Sequence, residues 1–126
     1  MFTTRTDAEL FAAEWAEAWN RRDVEAVLAH FRDDVVFGSP TALAVTGSPV
    51  VHGKDALRAY WIRALANIGS LRFSVVRVLW DPSLRELAII HVAEFDGRAR
   101  TASENLVFGE DGRVAKAEVF HGISNP

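Results

Sequence analysis

The chain contains no cysteine, and this absence excludes several kinds of chemistry. A disulfide framework, a thiolate nucleophile and any zinc or iron–sulfur site built from cysteine are all ruled out. A cytoplasmic location is therefore the natural expectation. The 126 residues are expected to form one domain, residues 1–126, of a length that buries about two-thirds of its surface without a covalent cross-link.

Long apolar runs and blocks of one charge are also missing. The longest uncharged stretch, which contains residues 37–53, is interrupted by Gly, Pro, Ser and Thr, whereas a transmembrane helix needs roughly 20 mostly apolar residues. The first residues contain no apolar signal core. Fourteen basic side chains against 17 acidic ones leave a net charge of −3, which does not favour phosphate-backbone binding. We therefore expect a soluble domain that binds neither nucleic acid nor membrane.

Helical patterns predict three helices in the first half of the chain. Thr6 and Glu9 have the spacing of a capping box, and the helix that follows extends to about Asn20. Asp23 is expected to cap a shorter second helix, whose apolar side ends with Phe31. A third helix is predicted from about residue 53 to residue 69, where apolar side chains recur at helical spacing.

Short β segments are expected between the second and third helices. Residues 35–37 have the composition of a strand. Residues 38–53 have the composition of a loop, and we predict a small hairpin there that turns at Gly47, Ser48 and Pro49.

The second half of the chain has the alternating pattern of β-strands, over residues 71–80, 84–95, 98–109 and 113–121. Asp96-Gly97 and Asp111-Gly112 separate the last three runs, and Asp-Gly between alternating runs is the strongest short hairpin signal. Helices followed by an antiparallel meander predict an α+β fold, with the helices against one face of one curved sheet.

Both Asp-Gly pairs, taken as two-residue turns, define the pairing of the last three strands. The predicted opposed pairs on one face include Phe95 with Arg98, Ala93 with Arg100, His91 with Ala102, Ile89 with Glu104, Glu104 with Val119, Ala102 with His121 and Phe108 with Ala115. His91 and His121 then flank Ala102, and Glu104 lies diagonal to both. Three titratable groups converge on an otherwise apolar face. Arg100 shares that face, and an ion pair with Glu104 would keep the carboxylate ionised.

The opposite face of this sheet is mixed in polarity. Several large apolar residues lie on it, including Ile90, Val92, Val107 and Phe120. An antiparallel sheet with one face in water is expected to be polar on that side. We therefore predict a homodimer in which a second copy covers the outer face.

The order of these elements resembles the nuclear transport factor 2-like superfamily, especially its SnoaL-like and ketosteroid-isomerase-like members. The segments that carry the resemblance are residues 11–31 (FAAEWAEAWNRRDVEAVLAHF), 33–40 (DDVVFGSP), 51–61 (VHGKDALRAYW) and 109–122 (GEDGRVAKAEVFHG). The resemblance implies a single SnoaL-like domain with a cone-shaped fold, in which three N-terminal helices close over a curved, mainly antiparallel sheet. It also implies an internal apolar pocket.

The resemblance implies roles for individual positions as well. The isomerase's proton-abstracting Asp corresponds to Ser39, its oxyanion-hole Tyr to Trp15, and its protonated Asp to Glu104. Its aromatic pocket residue near the end of the last strand corresponds to His121. A serine hydroxyl cannot serve as the base that a carboxylate provides, so steroid isomerisation by the usual chemistry is disfavoured. Glu104 could still act as a neutral acid, because an apolar site disfavours its ionised form.

Two functions remain open at this stage, beside a purely structural dimerisation domain whose pocket would be filled by its own side chains. One is an isomerase, cyclase or dehydratase that acts by acid–base chemistry on a small apolar molecule, and the other is a binding module that leaves its ligand unchanged. The expected catalytic residues are Glu104, His121 and His91, and the expected substrate-binding residues are Trp15, Ser39, Tyr60, Phe37, Ala117 and Leu106. Two histidines and a glutamate could hold a metal, but nothing in their spacing demands one. We predict no metal and no cofactor.

Overall fold

Six strands form one curved sheet, and four helices pack on its inner face in this computed structural model, which describes residues 2 and 4–124. The helices are α1 (Arg5–Asn20), α2 (Val24–Leu28), α3 (Pro40–Thr46) and α4 (Lys54–Ala66). The strands are β1 (Phe31–Gly38), β2 (Val50–His52), β3 (Leu71–Asp81), β4 (Glu86–Phe95), β5 (Arg98–Phe108) and β6 (Val114–Ser124). Their order in the sheet is β2-β1-β6-β5-β4-β3, and only the β1–β6 pair is parallel among these strands. The predicted α+β class is confirmed.

The start of α1 differs from the prediction. Thr4 caps the helix, because its hydroxyl accepts a hydrogen bond from the Asp7 amide at 3.1 Å while the Asp7 carboxylate accepts one from the Thr4 amide at 3.2 Å. Thr6 and Glu9, which have the same spacing, already lie inside the helix. The helix therefore begins two residues earlier than expected, and the predicted capping box at Thr6 was wrong by two positions.

The end of α2 was also placed too late. The helix ends at Leu28, and Phe31 is the first residue of β1, where it is buried opposite Val114 of β6. An apolar residue three positions after Leu28 fits either a helix face or a strand that begins there. The parallel pairing with β6, which the sequence pattern did not reveal, decided between them.

A fourth helix occupies much of the segment predicted as a hairpin. Ser39 accepts a hydrogen bond from the Thr41 amide at 3.2 Å, Pro40 is the first helical residue, and Gly47 ends α3 with a φ of +84°. These are ordinary helix-boundary residues, but α3 is too short to show a helical apolar period. The expected hairpin turn at Gly47, Ser48 and Pro49 was therefore wrong. β2 instead pairs with β1, with Phe37 opposite Val51.

The pairing of β4 with β5 agrees with the prediction at every position. Asp96 and Gly97 have φ angles of +52° and +84°, the two positive values that a tight turn of this hand requires. Along the inner face, His91 lies opposite Ala102, and Ile89 lies opposite Glu104.

The β5–β6 connection is longer than a two-residue turn. Gly109 donates to the carbonyl of Arg113 at 2.8 Å, and Phe108 pairs with Val114 instead of the predicted Ala115. A bulge at Ala115 then restores the expected register. Farther along the strands, Ala102 lies opposite His121 and Glu104 opposite Val119, as predicted.

The core lies between the inner face of the sheet and the helices. Leu87, Ile89, Leu106 and Ala117 form its floor and are at most 1% exposed. Asn20, at the end of α1, holds the helix to β3 by two hydrogen bonds to the Phe73 backbone, at 2.7 and 3.0 Å. Within residues 2 and 4–124, no helix has the length and apolar character needed to cross a membrane.

Replacement of Gly97 by alanine should destabilise the protein by about 1 to 2 kcal/mol, because a Cβ is unfavourable at a φ of +84°. The matched control is Gly38→Ala. A Cβ there would meet neighbours no closer than 3.8 Å, so this change should be neutral or slightly stabilising. Denaturant unfolding of the two variants provides the comparison. Equal losses in both would contradict the proposed role of the turn.

Candidate functional site

Glu104 is a carboxyl group in the middle of the apolar inner face. It is 5% exposed, lies between Ile89 and Val119 on the neighbouring strands, and has no hydrogen-bond partner for Oε2 among the described residues. Burial raises its pKa to about 7, and the nearby indole N–H of Trp15 opposes that rise. Near neutral pH, a large fraction of these carboxyl groups is therefore protonated.

Trp15 places an indole beside this carboxyl from the helix side. It lies on the buried stripe of α1 with Ala8 and Ala12, and its ring stacks on Phe73 with centroids 5.3 Å apart. The indole Nε1 has no hydrogen-bond partner among the described residues. The indole is near enough to lower the pKa of Glu104, but the contact does not meet hydrogen-bond geometry. A buried donor and a buried acceptor are thus both left free.

Tyr60 and Ser39 add two hydroxyl groups from α4 and the start of α3, and both residues are buried. Burial raises the pKa of Tyr60, the Ser39 hydroxyl lowers it, and the charge of Glu104 raises it. The two hydroxyls therefore lie near each other, and the Tyr60 hydroxyl lies within the electrostatic range of Glu104. The Ser39 oxygen also caps α3 by accepting from Thr41.

His91 is held in one orientation within the interior. Its Nδ1 lies 2.9 Å from the carbonyl oxygen of Ile89, and the carbonyl can only accept, so Nδ1 carries the proton and Nε2 presents a lone pair. The ring packs edge-on against Trp15, with centroids 4.9 Å apart, and at a tilt against Phe73, with centroids 5.0 Å apart. Burial lowers the pKa of His91, which favours the neutral imidazole.

His121 lies at the outer edge of the same face and is exposed. Its Nδ1 accepts a hydrogen bond from Nη1 of Arg100 at 2.6 Å, while Nη2 of Arg100 donates to the Ser124 hydroxyl at 3.2 Å. Burial, and then the Arg100 charge, lower the pKa of His121. The ion pair between Arg100 and Glu104, the alternative to a neutral acid, does not form, because the guanidinium turns toward β6 instead.

The structure brings the predicted site residues onto one side of the sheet but does not join them as expected. Glu104, His91 and His121 share the inner face, yet no hydrogen bond links the carboxyl to either imidazole within residues 4–124. Glu104 therefore orients neither imidazole by a direct hydrogen bond in this part of the chain. In the same part of the chain, no group of three or more His, Asp or Glu side chains is arranged to hold a metal ion.

The remaining predicted lining residues are Phe37, Leu106 and Ala117, and all three are buried. Leu106 and Ala117 belong to the floor of the core, and Phe37 packs edge-on against Trp61 with centroids 5.5 Å apart. A cleft of about 190 Å³ between α1 and α2 reaches Trp15 from outside. Glu104 does not line this cleft, so the internal pocket stays a prediction.

The comparison with known proteins agrees with this architecture. A sequence model of the SnoaL-like domain matches residues 12–121. The chain belongs to the SnoaL-like domain family. None of the curated proteins has a sequence that matches this SnoaL-like domain.

Solved structures with the same fold include a SnoaL-like protein of unknown function from Burkholderia thailandensis E264. It is 33% identical, with 95% of this chain and 98% of that chain covered and a TM-score of 0.85. A nuclear transport factor 2-like protein of unknown function from Burkholderia pseudomallei K96243 is 21% identical, with coverage of 91% and 90% and a TM-score of 0.76. A computationally designed 17-OHP binder is 20% identical, with coverage of 92% and 92% and a TM-score of 0.70. The predicted nuclear transport factor 2-like superfamily is thereby confirmed.

Phe73 is the site residue that the sequence analysis of this SnoaL-like domain missed. It contacts both Trp15 and His91 from β3. The sequence did not show which face of the sheet Phe73 lies on. The connection Asp81-Pro82-Ser83 does not define the pairing register of β3 with β4, and β3 also contains a bulge between Val75 and Arg77. The alternating apolar pattern of residues 71–75 was the available signal.

Burial of Glu104 predicts an unusual dependence of stability on pH. The folded state binds this proton more tightly than the unfolded chain, so the free energy of unfolding should fall as the pH rises from 4.5 to about 7. The shift corresponds to a loss of about 3 kcal/mol. In Glu104→Gln this contribution disappears, and the variant should gain stability relative to the wild type as the pH rises from 5 to 8.

Urea unfolding at several pH values tests this prediction. The matched control is Glu118→Gln, which removes the same charge at an exposed position on the opposite face. His91 also makes the free energy of unfolding depend on pH, but it is present in the wild type and in both variants, so its contribution cancels when their curves are compared. Parallel stability–pH curves for wild type and Glu104→Gln would contradict the buried-acid interpretation.

Proposed function

We propose that this domain binds a small, largely apolar molecule that carries a carbonyl or hydroxyl oxygen, and that it moves a proton on that molecule. Three buried side-chain atoms of the described residues have no hydrogen-bond partner: Oε2 of Glu104, Nε1 of Trp15 and Nε1 of Trp19. The observation that carries the proposal is that the first two lie near each other. Each unsatisfied buried group costs about 1 to 3 kcal/mol. A ligand oxygen between them could accept from the indole and from the protonated carboxyl, and would recover that loss.

The acid and the base of such a reaction have suitable ionisation states. Glu104, with a pKa of about 7, keeps a proton to donate near neutral pH. His91 is favoured in its neutral form, with Nε2 as the free acceptor. Protonation of a carbonyl oxygen by Glu104 and removal of a neighbouring C–H proton by His91 would produce an enol, as an isomerase requires. Protonation of a hydroxyl leaving group would instead favour dehydration.

The second candidate is a binding module without chemistry. The position of the isomerase's base is occupied by Ser39, whose hydroxyl caps α3 and has no basic character. A chain with the same fold has been designed as a 17-OHP binder, so the fold is suited to ligand binding without a reaction. His121, exposed and bonded to Arg100, is better suited to contact with the ligand at the edge of the site than to proton transfer inside it.

Exchange of ketone α-protons in deuterated water tests the proposed proton transfer without knowledge of the natural substrate. The domain should accelerate exchange in uncharged aromatic ketones such as 1-tetralone. The rate should rise with pH below 6.5 as His91 loses its proton, and fall above about 7 as Glu104 ionises. NMR spectroscopy of the ketone measures the exchange.

The variants separate the two candidate functions. Glu104→Gln should abolish the acceleration, whereas the control Glu118→Gln should keep it. Quenching of tryptophan fluorescence by the same ketones reports binding, because Trp15 lies beside the proposed site. Ketones that quench the fluorescence but show no accelerated exchange would favour the binding module over the enzyme.

We also propose that two copies of the domain pair through the outer face of the sheet. Leu79 and Phe120 lie on that face and are 57% and 49% exposed. Their burial by a second copy would remove apolar surface from water. Light scattering at micromolar concentration should give twice the 13.9 kDa of one chain.

Phe120→Glu should convert the dimer to a monomer, because it introduces a charge into the apolar contact. The control Leu10→Glu, on the exposed side of α1, should leave the mass unchanged. A wild-type mass of a single chain would contradict this proposal.

A further inference from the structure

Three side chains come together at the outer edge of the inner face, and we call them the rim cluster: Arg100 on β5, with His121 and Ser124 on β6. Arg100 donates to Nδ1 of His121 at 2.6 Å and to the Ser124 hydroxyl at 3.2 Å. The adjacent inner positions, Ala102 and Ala93, are buried, whereas His121 is exposed. The rim cluster therefore lies where the buried interior gives way to solvent.

A bulge in β6 builds the rim cluster. Ala102 pairs with His121, but Arg100 pairs with Ser124, so β6 contains one extra residue between these pairs. Without it, Ile123 would lie opposite Arg100, whereas in this structure Ile123 is 89% exposed. Gly122 permits the bulge, because a Cβ there would meet the Thr101 carbonyl oxygen at 2.7 Å. The bulge thus places a hydroxyl, rather than an aliphatic side chain, beside the guanidinium.

The rim cluster presents hydrogen-bond donors to the outside. Nδ1 of His121 accepts from Arg100, and the lowered pKa of His121 favours the neutral ring, so its proton is on Nε2. Arg100 has further N–H groups beyond the two that contact β6. The Ser124 hydroxyl can also donate. An oxyanion is the kind of group that such a set of donors binds.

The charge of the rim cluster is not compensated within the described residues. No carboxylate of residues 2 and 4–124 lies within salt-bridge distance of Arg100. Both of its side-chain neighbours are neutral. A fixed positive charge therefore lies at the edge of an interior in which Glu104 is the one buried acid among the described residues, with a pKa raised to about 7.

We propose that the rim cluster binds the carboxylate of an amphipathic ligand whose apolar body extends into the interior toward Glu104. Glu104 lies four positions after Arg100 along β5, which corresponds to about 13 Å between their backbones. A planar ring system with a carboxylate at one end and a hydroxyl or carbonyl at the other has the required polarity. This inference rests on the proposed interior site and adds the ligand's charge and orientation.

Titration calorimetry with three naphthalene probes tests the inference. The probes are 6-hydroxy-2-naphthoate, 2-naphthoate without the hydroxyl, and 2-naphthol without the carboxylate. Arg100→Gln should weaken binding of both carboxylates by about tenfold or more, and should leave 2-naphthol within about twofold. The control Arg72→Gln, which removes an exposed arginine from the outer face, should change none of the three affinities.

Each result separates the rim inference from the proposed function. Wild-type affinities for 2-naphthol and 2-naphthoate that are equal and insensitive to Arg100→Gln would overturn the rim inference and leave the interior site intact. An equal loss for all three probes in Arg100→Gln would assign Arg100 a structural role and also overturn it. If none of the probes binds at millimolar concentration, the proposed interior site fails and the inference fails with it. Tighter binding of 2-naphthyl phosphate than of 2-naphthoate would assign the rim to phosphate esters and overturn the carboxylate assignment.

Discussion

The register of β5 between β4 and β6 is the constraint on which the rest of the structure depends. Asp96 and Gly97 accept the positive φ angles of a tight turn, so β4 and β5 pair in one register. Successive side chains of a strand point to opposite faces, and a slip of one residue would turn Glu104 to the outer face. The register that the turn imposes places the apolar floor of the core on the inner face, and it places Glu104 and His91 on that same face.

The buried acid works against folding, and this is the main argument that it has a function. Glu104 loses hydration, its Oε2 finds no partner among the described residues, and its pKa rises to about 7. An apolar residue at this position would avoid that loss. Locally unfavourable choices of this kind concentrate at functional sites. The two proposed sites differ in charge. The interior contains Glu104, which is uncharged in its protonated form, and the rim cluster contains the permanently charged Arg100.

Much of the fold could be predicted because its signals are local. An Asp-Gly pair between alternating runs is a local hairpin signal, and the inner face was predicted from two such pairs. Asp96-Gly97 forms the expected tight turn, whereas the connection after Phe108 is longer and the bulge at Ala115 restores the predicted register. The predicted helix boundaries were wrong where the local sequence fitted two different structures equally well. Thr4 and Thr6 each begin a capping-box spacing, Phe31 fits a helix end or a strand start, and α3 is too short to show a helical period. For Phe31, the parallel pairing with β6 made the choice.

The sequence by itself determined the fold class, the antiparallel meander and the face that carries Glu104, His91 and His121, since turn chemistry and a two-residue period act over a few residues. Only the tertiary structure decided which polar groups meet. Trp15, Ser39 and Tyr60 come from three separate helical segments, and their approach to Glu104 depends on how those helices pack on the sheet. The pairing of Arg100 with His121 and Ser124 likewise required the bulge at Gly122. A strand's alternation predicts a face, whereas partners and pKa values depend on distances and burial that exist only after packing.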